Sequence, residues 1–230
     1  MNKAGTYERL YKNRFELFFG SLITILFGSL VVPIDFYERV LSPVLFLLNL
    51  ITSTLLISHR KGLVKFFVFL FTISLISFGL NFFNKPVQFG FVEYIRLIVY
   101  FLFYIVVTIE IIKQVWKAKE VSKNVIMGLM SGYISIGLLG FFLFLSIEIL
   151  NPGAFNGLLM EGSADAGAKV DSLIYYSYIT LLTIGYGEIY PVTAVAQKAA
   201  ILVGLMGQFY LVIITAVVVE KYIRFSQKKR

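Results

Sequence analysis

Two glycines alternate with larger residues in the stretch TIGYGE, which covers residues 183–188. Glycine adopts backbone conformations closed to other residues, so Gly185 and Gly187 allow successive carbonyl oxygens to point the same way. Ile184 and Tyr186 alternate with them and add their carbonyls to the row. Such a row, repeated around an axis, forms rings of oxygen atoms that replace the hydration shell of a cation. Thr183 adds a hydroxyl as the innermost ring, so the stretch predicts a cation-binding loop.

A short segment rich in aromatic residues precedes this loop and is predicted to be helical over residues 171–182. The C-terminal end of a helix carries partial negative charge, which here favours a cation in the space below the loop. Asp171 and Ser172 are the candidate N-caps of this helix, because their side-chain oxygens accept free backbone N–H groups. The helix and the loop together predict a site for a cation.

The composition of the whole chain is that of an integral membrane protein. Of its 230 residues, 58% are hydrophobic and 15% are charged, and the mean hydropathy is +0.83, far above the values of soluble domains. The chain has no cysteine, which excludes disulfides and cysteine metal sites. Its single histidine, His59, is interpreted as an ordinary helix-end residue. No paired carboxylates, nucleophile–base set or phosphate-binding loop indicates an enzyme.

Six apolar segments are long enough to cross a bilayer, whose hydrocarbon core of about 30 Å requires roughly 20 helical residues. These predicted spans cover residues 15–32, 40–58, 63–80, 91–112, 125–150 and 194–219. The cation-binding loop and its helix lie between the fifth and sixth spans and are too short to cross. They are interpreted as a re-entrant helix and loop, with a buried kink as the alternative. The predicted fold is an all-α integral membrane protein with six transmembrane helices.

Most of the 21 Lys and Arg residues fall in the two tails and in two loops that share one side of the predicted membrane. Basic loops favour the cytoplasmic side. We therefore expect a multi-pass protein of the cell membrane with both termini in the cytoplasm and the TIGYGE loop facing outside. The net charge of +8 fits a membrane surface with anionic lipids better than nucleic acid, because the basic residues form short clusters between apolar stretches.

The longer stretch TLLTIGYGE resembles the signature sequence of the potassium-channel family, usually T-x-x-T-V-G-Y-G-D. Thr180, Thr183, Gly185, Tyr186 and Gly187 occupy the matching positions. The preceding YYSYIT is similar to the aromatic pore helix of that family, and the following EIYPVT is similar to its outer mouth. The resemblance extends over residues 125–222, which is less than half of the chain.

This resemblance implies a potassium-selective channel that assembles as a homotetramer, with a pore helix and a selectivity filter between helices five and six. K⁺, the only bound group implied, would be held by residues 183–186, with Gly187 completing the filter. Ile184 replaces the usual valine and Glu188 the usual aspartate. Tyr175 and Tyr176 stand where tryptophans are common, so the hydrogen bonds around the filter are expected to differ from those of the family. Inactivation is expected to differ with them.

Three further residues are candidates for supporting or moving the pore. Glu148, at the outer end of the fifth span, either bonds the backbone near the outer end of the sixth span or faces water as an interfacial acid. Gly207 falls at the position of the hinge glycine of the family, with simple packing as the alternative. Gly204, three residues earlier, is a rival hinge.

The predicted domains follow from the spans. Residues 1–14 are a cytoplasmic segment, either an interfacial helix or a solvated tail, and residues 15–112 form a four-helix domain that resembles a voltage sensor. Residues 113–124 are a cytoplasmic linker, residues 125–223 the pore domain and residues 224–230 a basic C-terminal tail. The polar side chains of NLITST, residues 49–54, are predicted to form hydrogen bonds between helices. The alternative is that they line a wet pocket among the first four helices.

The fourth predicted span lacks the repeated arginines of a voltage sensor. Arg96 stands alone, and Glu93 is close enough in sequence to pair with it. Each charge that crosses the membrane field contributes only about 2.3 kcal/mol per 100 mV, so we expect weak voltage dependence and the sequence leaves the gating stimulus open. The alternatives are a nonselective cation channel of the same architecture, or a ligand-binding or structural membrane domain fused to a vestigial pore.

Overall fold

The computed structural model describes residues 8, 10–33, 36–58, 60–83, 91–118, 122–157 and 166–228. His59, most of the segment 1–14 and the side chain of Glu93 lie outside this description, and with them the predictions made for those positions. The chain forms two compact units, Met1–Gly132 and Tyr133–Arg230. The boundary falls inside a long helix and follows the predicted start of the pore domain by a few residues.

The first unit contains four α-helices in chain order. They are α1 (Arg14–Phe27), α2 (Ser42–Ile57), α3 (Lys61–Phe83) and α4 (Phe91–Lys117). A short 3₁₀ helix, Gly28–Leu30, extends α1, and a π-helical turn, Tyr37–Leu41, leads into α2. Helix α2 packs against α1, α3 and α4, and α3 also packs against α4. Each of the four helices overlaps one of the first four predicted spans.

A buried hydrogen-bonded cluster joins three helices of this unit. The Asn49 side chain on α2 donates to Ser21 Oγ on α1 over 2.8 Å, and Tyr104 OH on α4 donates to Asn49 Oδ1 over 3.1 Å. Ser21 and Thr52 hydroxyls are 3.3 Å apart. Thr54 is outside the cluster and bonds the carbonyl of Ile51 on its own helix. The prediction of interhelical hydrogen bonding by the NLITST segment is therefore confirmed.

An acidic side chain is buried near the end of α4. Glu110 is 3% exposed and pairs with Arg60, at 3.1 Å, and with Lys113, at 3.5 Å. The neighbouring Gln114 side chain donates to the carbonyl of Leu56 at the end of α2. These contacts explain how a carboxylate can interrupt an otherwise apolar helix, since a buried charge requires a partner.

The second unit contains the rest of α5 (Lys123–Leu150), strand β1 (Phe155–Gly157), α6 (Ala166–Leu181), strand β2 (Ile189–Pro191) and a long final helix. That helix consists of α7 (Ala194–Phe209), a π-helical segment (Tyr210–Ile214) and α8 (Thr215–Lys228). It continues beyond the predicted end of the sixth span at residue 219 and through most of the segment interpreted as a tail.

Three helices of the described chain are long and apolar enough to cross a membrane: Tyr94–Lys117, Lys123–Leu150 and Ala194–Lys221. Helix α2 is apolar but shorter. These three helices coincide with the fourth, fifth and sixth predicted spans. A mostly helical chain with such helices fits a membrane ion channel, and the full set of six spans stays a prediction.

The helix before the TIGYGE loop begins earlier than the sequence pattern indicated. Helix α6 starts at Ala166, so Asp171 and Ser172 lie inside it and the prediction that one of them is the N-cap was wrong. The preceding residues include two alanines and a lysine, which favour helix, and no proline interrupts them. Helix formation therefore extends for more than one turn beyond the expected cap.

Candidate functional site

Helix α6 is anchored to α5 by two side-chain hydrogen bonds. Ser177 Oγ donates to the carbonyl of Gly137 over 2.6 Å, and Tyr178 OH donates to the carbonyl of Ile134 over 2.7 Å. Two glycines of α5 make this approach possible. A Cβ at Gly137 would collide with the ring of Tyr178, and a Cβ at Gly140 would lie 2.6 Å from Ser177 Oγ. The helix that supports the loop is therefore seated in a notch of small residues.

The C-terminal end of α6 is in contact with both long helices of the unit. A Cβ at Gly207 on α7 would lie 2.5 Å from the carbonyl oxygen of Leu181. The same oxygen accepts a hydrogen bond from Tyr133 OH on α5 over 3.3 Å, and the Tyr133 ring packs on Tyr210, with ring centroids 5.7 Å apart. Gly204 has no comparably tight contact. Close packing is thus a property of Gly207, and its role as a hinge stays a prediction.

The backbone of the loop alternates between two conformations. Thr183, Gly185 and Gly187 have positive φ values of 58°, 59° and 93°, and the residues between them do not. The loop is tied to α6 at its base, where the N–H groups of Thr183 and Ile184 donate to the carbonyls of Thr180 and Ile179. A left-handed conformation is ordinary for glycine and uncommon for threonine. The two glycines thus adopt conformations that their residue type was expected to allow, and the shared direction of the carbonyl oxygens stays a prediction.

The carbonyl groups of this loop are available to a ligand. Among the hydrogen bonds of the described residues, none is accepted by a carbonyl oxygen of residues 183–187, and all five residues are exposed in the isolated chain. The Thr183 hydroxyl donates to the carbonyl of Leu182 over 2.7 Å. Carbonyl oxygens are hard ligands that suit cations such as alkali and alkaline-earth ions. The loop offers such oxygens at the end of α6.

Tyr175 and Glu188 connect α6 to the end of the loop. The hydrogen bond between the two side chains is the main cause that raises the pKa of the Tyr175 phenol to about 12. The phenol is the donor in this bond and the Glu188 carboxylate is the acceptor. The Oε1 atom of Glu188 is buried and has no hydrogen-bond partner among the described residues. Glu188 is held by Tyr175 and retains one free acceptor directly beside Gly187.

Tyr176 faces a different environment from its neighbour. Its ring packs with Phe144 and Phe155, with centroids 5.0 and 5.4 Å away, and those two rings are 5.2 Å apart. Its hydroxyl interacts with the Thr180 side chain. The two adjacent tyrosines thus have separate roles, because Tyr175 holds the loop and Tyr176 holds α6 in an aromatic cluster.

Glu148 organises the segment that leads from α5 toward the loop. Its carboxylate is 7% exposed and accepts from the N–H groups of Gly153 and Phe155 over 3.0 and 3.1 Å. Glu148 therefore bonds backbone N–H groups, as predicted, but the prediction of which residues supply them was wrong. The bonded residues follow its own helix and do not belong to the end of the sixth span, because the chain turns back beside α5 and brings its amides within reach.

Two short strands join the chain before α6 to the chain after the loop. Strands β1 and β2 pair antiparallel, with Phe155 opposite Pro191 and Gly157 opposite Ile189. The N–H of Val192 adds a bond to the carbonyl of Ala154 over 2.8 Å. The segment that leaves the loop is thereby fixed to the segment that Glu148 holds. The sequence analysis did not anticipate either strand.

Residues 138–224 match the ion-channel family. The matched region begins in α5, includes α6 and the TIGYGE loop and ends in α8. Comparisons with curated proteins and with solved structures gave no match. The match supports an ion channel in a membrane and a function in ion transport. It covers the part of the chain that contains the TIGYGE loop.

The structure brings most of the predicted site residues into one region. Residues 183–187 form the loop, Thr180, Tyr175 and Tyr176 lie on the helix that supports it, and Glu188 follows it. Glu148 bonds the segment that includes β1, and β1 pairs with β2 after the loop. The sequence analysis missed Tyr133, Ser177, Tyr178, Gly137 and Gly140. The small residues of the GLLG stretch at 137–140 were the available signal, since such pairs permit close helix approach in membranes.

Proposed function

We propose that the protein is a potassium-selective ion channel whose pore is formed by four copies of the chain. The observation that carries this proposal is the loop at residues 183–187, where positive φ values alternate and the carbonyl oxygens have no described partner. In the tetramer the loops face a common axis, and their oxygens replace the water shell of K⁺. The ions bind at residues 183–186 and move through the pore passively.

The direction of α6 favours a cation over an anion. The helix ends at Leu181, just before the loop, so the partial negative charge of its C-terminus lies near the inner end of the ion path. With one helix from each subunit, the four C-termini act on the same ion. The charge of Glu188 at the opposite end of the loop adds a second attraction for cations.

Assembly from several copies agrees with the exposed surface of the final helix. Only 22% of the apolar window in Ala194–Lys221 is buried within the chain, against 61% for Lys123–Leu150. Large side chains such as Leu202, Leu205 and Phe209 are exposed on α7. Neighbouring subunits, together with lipid, cover this surface in the proposed channel. A single chain also supplies only one loop, whereas a closed ring of carbonyls requires several.

The test is ion selectivity measured on purified protein in liposomes. With K⁺ and Na⁺ in opposed gradients, the reversal potential is expected to follow the K⁺ gradient, and the solubilised protein is expected to have the mass of a tetramer. Equal permeability to Na⁺ and K⁺ would identify the protein as a nonselective cation channel. Absence of flux from a correctly assembled tetramer would contradict channel function and favour a vestigial pore.

A further inference from the structure

A cavity of about 350 Å³ lies in the first unit, where α1 begins, α4 ends and α5 begins. Its lining combines cationic and apolar side chains. Arg14 and Lys117 supply the cations, and Phe15, Val115 and Val125 supply a buried apolar wall. Small-molecule sites in proteins have volumes of roughly 300–1,000 Å³. The cavity is therefore large enough for a compact polar group with apolar atoms beside it.

Arg14 has a buried donor without an acceptor among the described residues. One terminal nitrogen of its guanidinium donates to the carbonyl of Tyr11 over 3.0 Å, and the group lies over the rings of Tyr11 and Phe15 at 4.2 and 4.9 Å from their centroids. The Nε atom is buried and has no hydrogen-bond partner among the described residues. A buried donor left without a partner is costly. An oxygen of a bound ligand would remove this cost.

Two acidic side chains of the described part of this unit are paired with cations outside the cavity lining. Glu16 bonds Lys123 over 3.0 Å, and Glu110 pairs with Arg60 and Lys113. Within the described part of the chain, no ion pair includes Arg14 or Lys117. The cavity therefore has two cationic groups whose charge no described carboxylate neutralises at contact distance. This favours an anionic ligand.

We propose that this cavity binds the headgroup phosphate of an anionic phospholipid. The Arg14 guanidinium donates to the phosphate oxygens, for which its planar group is well suited, and Lys117 adds a second positive charge. The apolar wall accommodates the glycerol and the first carbons of the acyl chains. The inference rests on the membrane location of the chain and does not depend on ion conduction.

The position of the cavity favours a lipid over a soluble phosphate. The cavity lies where one candidate span, Tyr94–Lys117, ends and where the next, Lys123–Leu150, begins. This places the cavity at the level where helices leave the hydrocarbon. Basic residues at this level on the cytoplasmic side attract anionic lipids. The walls are also tied together, because Asn124 on α5 donates to the carbonyl of Lys12 over 3.1 Å. The cavity is thus a built feature of the fold.

Trp116 is the only tryptophan of the chain and is flanked by two lining residues, so its fluorescence reports on the site. Full-length protein is placed in bilayers of neutral lipid that contain increasing fractions of bromine-labelled phosphatidylglycerol, or of equally labelled phosphatidylcholine. We expect the anionic lipid to quench Trp116 at lower mole fractions. Lys117→Gln and Arg14→Gln should each weaken this preference about five-fold, the contribution of one cation near a membrane surface.

Two controls make the experiment decisive. Lys65→Gln removes an exposed positive charge at another site and should leave the preference unchanged, and Arg14→Lys should give an intermediate loss, because it retains the charge without the planar donor set. Equal quenching by both lipids, or an equal loss in Lys65→Gln, would overturn the proposal. So would saturable displacement of the labelled lipid by glycerol 3-phosphate or inorganic phosphate, which would identify a site for soluble phosphate.

Discussion

The side chain at position 185 decides whether the loop can keep its conformation. Gly185 has a φ of 59°, and a Cβ added there would meet no atom within 4 Å of the isolated chain. The cost of Gly185→Ala is therefore backbone strain and not a clash within the subunit. A left-handed conformation costs a non-glycine residue roughly 1–2 kcal/mol, enough to shift the loop to other conformations.

We predict that Gly185→Ala abolishes K⁺-selective flux while the tetramer still forms. Reversal potentials in liposomes give the selectivity, and size-exclusion chromatography gives the assembly. Gly20→Ala is the matched control, because Gly20 lies on α1 with open space around its Cβ position and an ordinary φ. Unchanged selectivity in Gly185→Ala would mean that the loop is not the filter.

Tyr175 is expected to determine how long the loop stays in its conducting form. Tyr175→Phe removes the donor that holds Glu188, so the residue beside Gly187 loses its anchor. We predict a faster decay of macroscopic current during sustained K⁺ flow, with little change in expression. Tyr175→Trp restores a donor near this position and should slow the decay relative to Tyr175→Phe. Identical decay in all three proteins would exclude a role for this contact.

At the scale of single elements, α5 provides the surface on which α6 packs, which the sequence analysis did not predict. The notch at Gly137 and Gly140 receives α6, and any side chain there overlaps Tyr178 or Ser177. Overpacking of this kind costs roughly 1–3 kcal/mol. We predict that Gly137→Ala and Gly140→Ala lower the melting temperature of the solubilised protein by several degrees. Gly20→Ala and Gly79→Ala, with open space at the Cβ position, should not; equal lowering in all four would contradict the notch.

The final helix has a π-helical segment close to Gly207, which is a second candidate for a hinge. Kinks in helices arise at prolines, at glycine–serine pairs, at π-bulges or at inserted groups, and π-helical turns are frequent at functional positions. The segment Tyr210–Ile214 begins three residues after Gly207, which is itself tightly packed against Leu181. The sequence could not indicate this segment, because its composition is that of an ordinary apolar helix.

Local residue type predicted the parts of the site that depend on the backbone alone. Gly185 and Gly187 adopt positive φ, as their type allows, whereas Thr183 does so because the neighbouring structure imposes it. Glu148 was correctly expected to bind backbone, but its partners depend on how the following turn folds back. The three-residue strands were not predicted, since their pairing joins positions that are distant in sequence and neither has a periodic pattern.

For the whole molecule, the main prediction concerns voltage. Arg96 is the only arginine of α4. If it alone senses the field, the proposed tetramer offers at most about four elementary charges, whereas steep gating uses three to four in each subunit. We predict that the open probability depends weakly on voltage in single-channel recordings over a wide range. Recordings of Arg96→Gln provide the comparison. Steep dependence that disappears in this variant would mean that the first four helices are a sensor after all.

The strand pair also determines how much folding free energy an insertion between Gly157 and Ala166 would cost. Because the pairing of β1 with β2 closes the chain around α6 and the TIGYGE loop, residues inserted between Gly157 and Ala166 lengthen a loop whose ends are already held together. Loop-closure entropy rises only slowly with length, by about 0.6 kcal/mol for each doubling. Sequences of different length between Gly157 and Ala166 are therefore compatible with the same strand pair at a small cost in folding free energy.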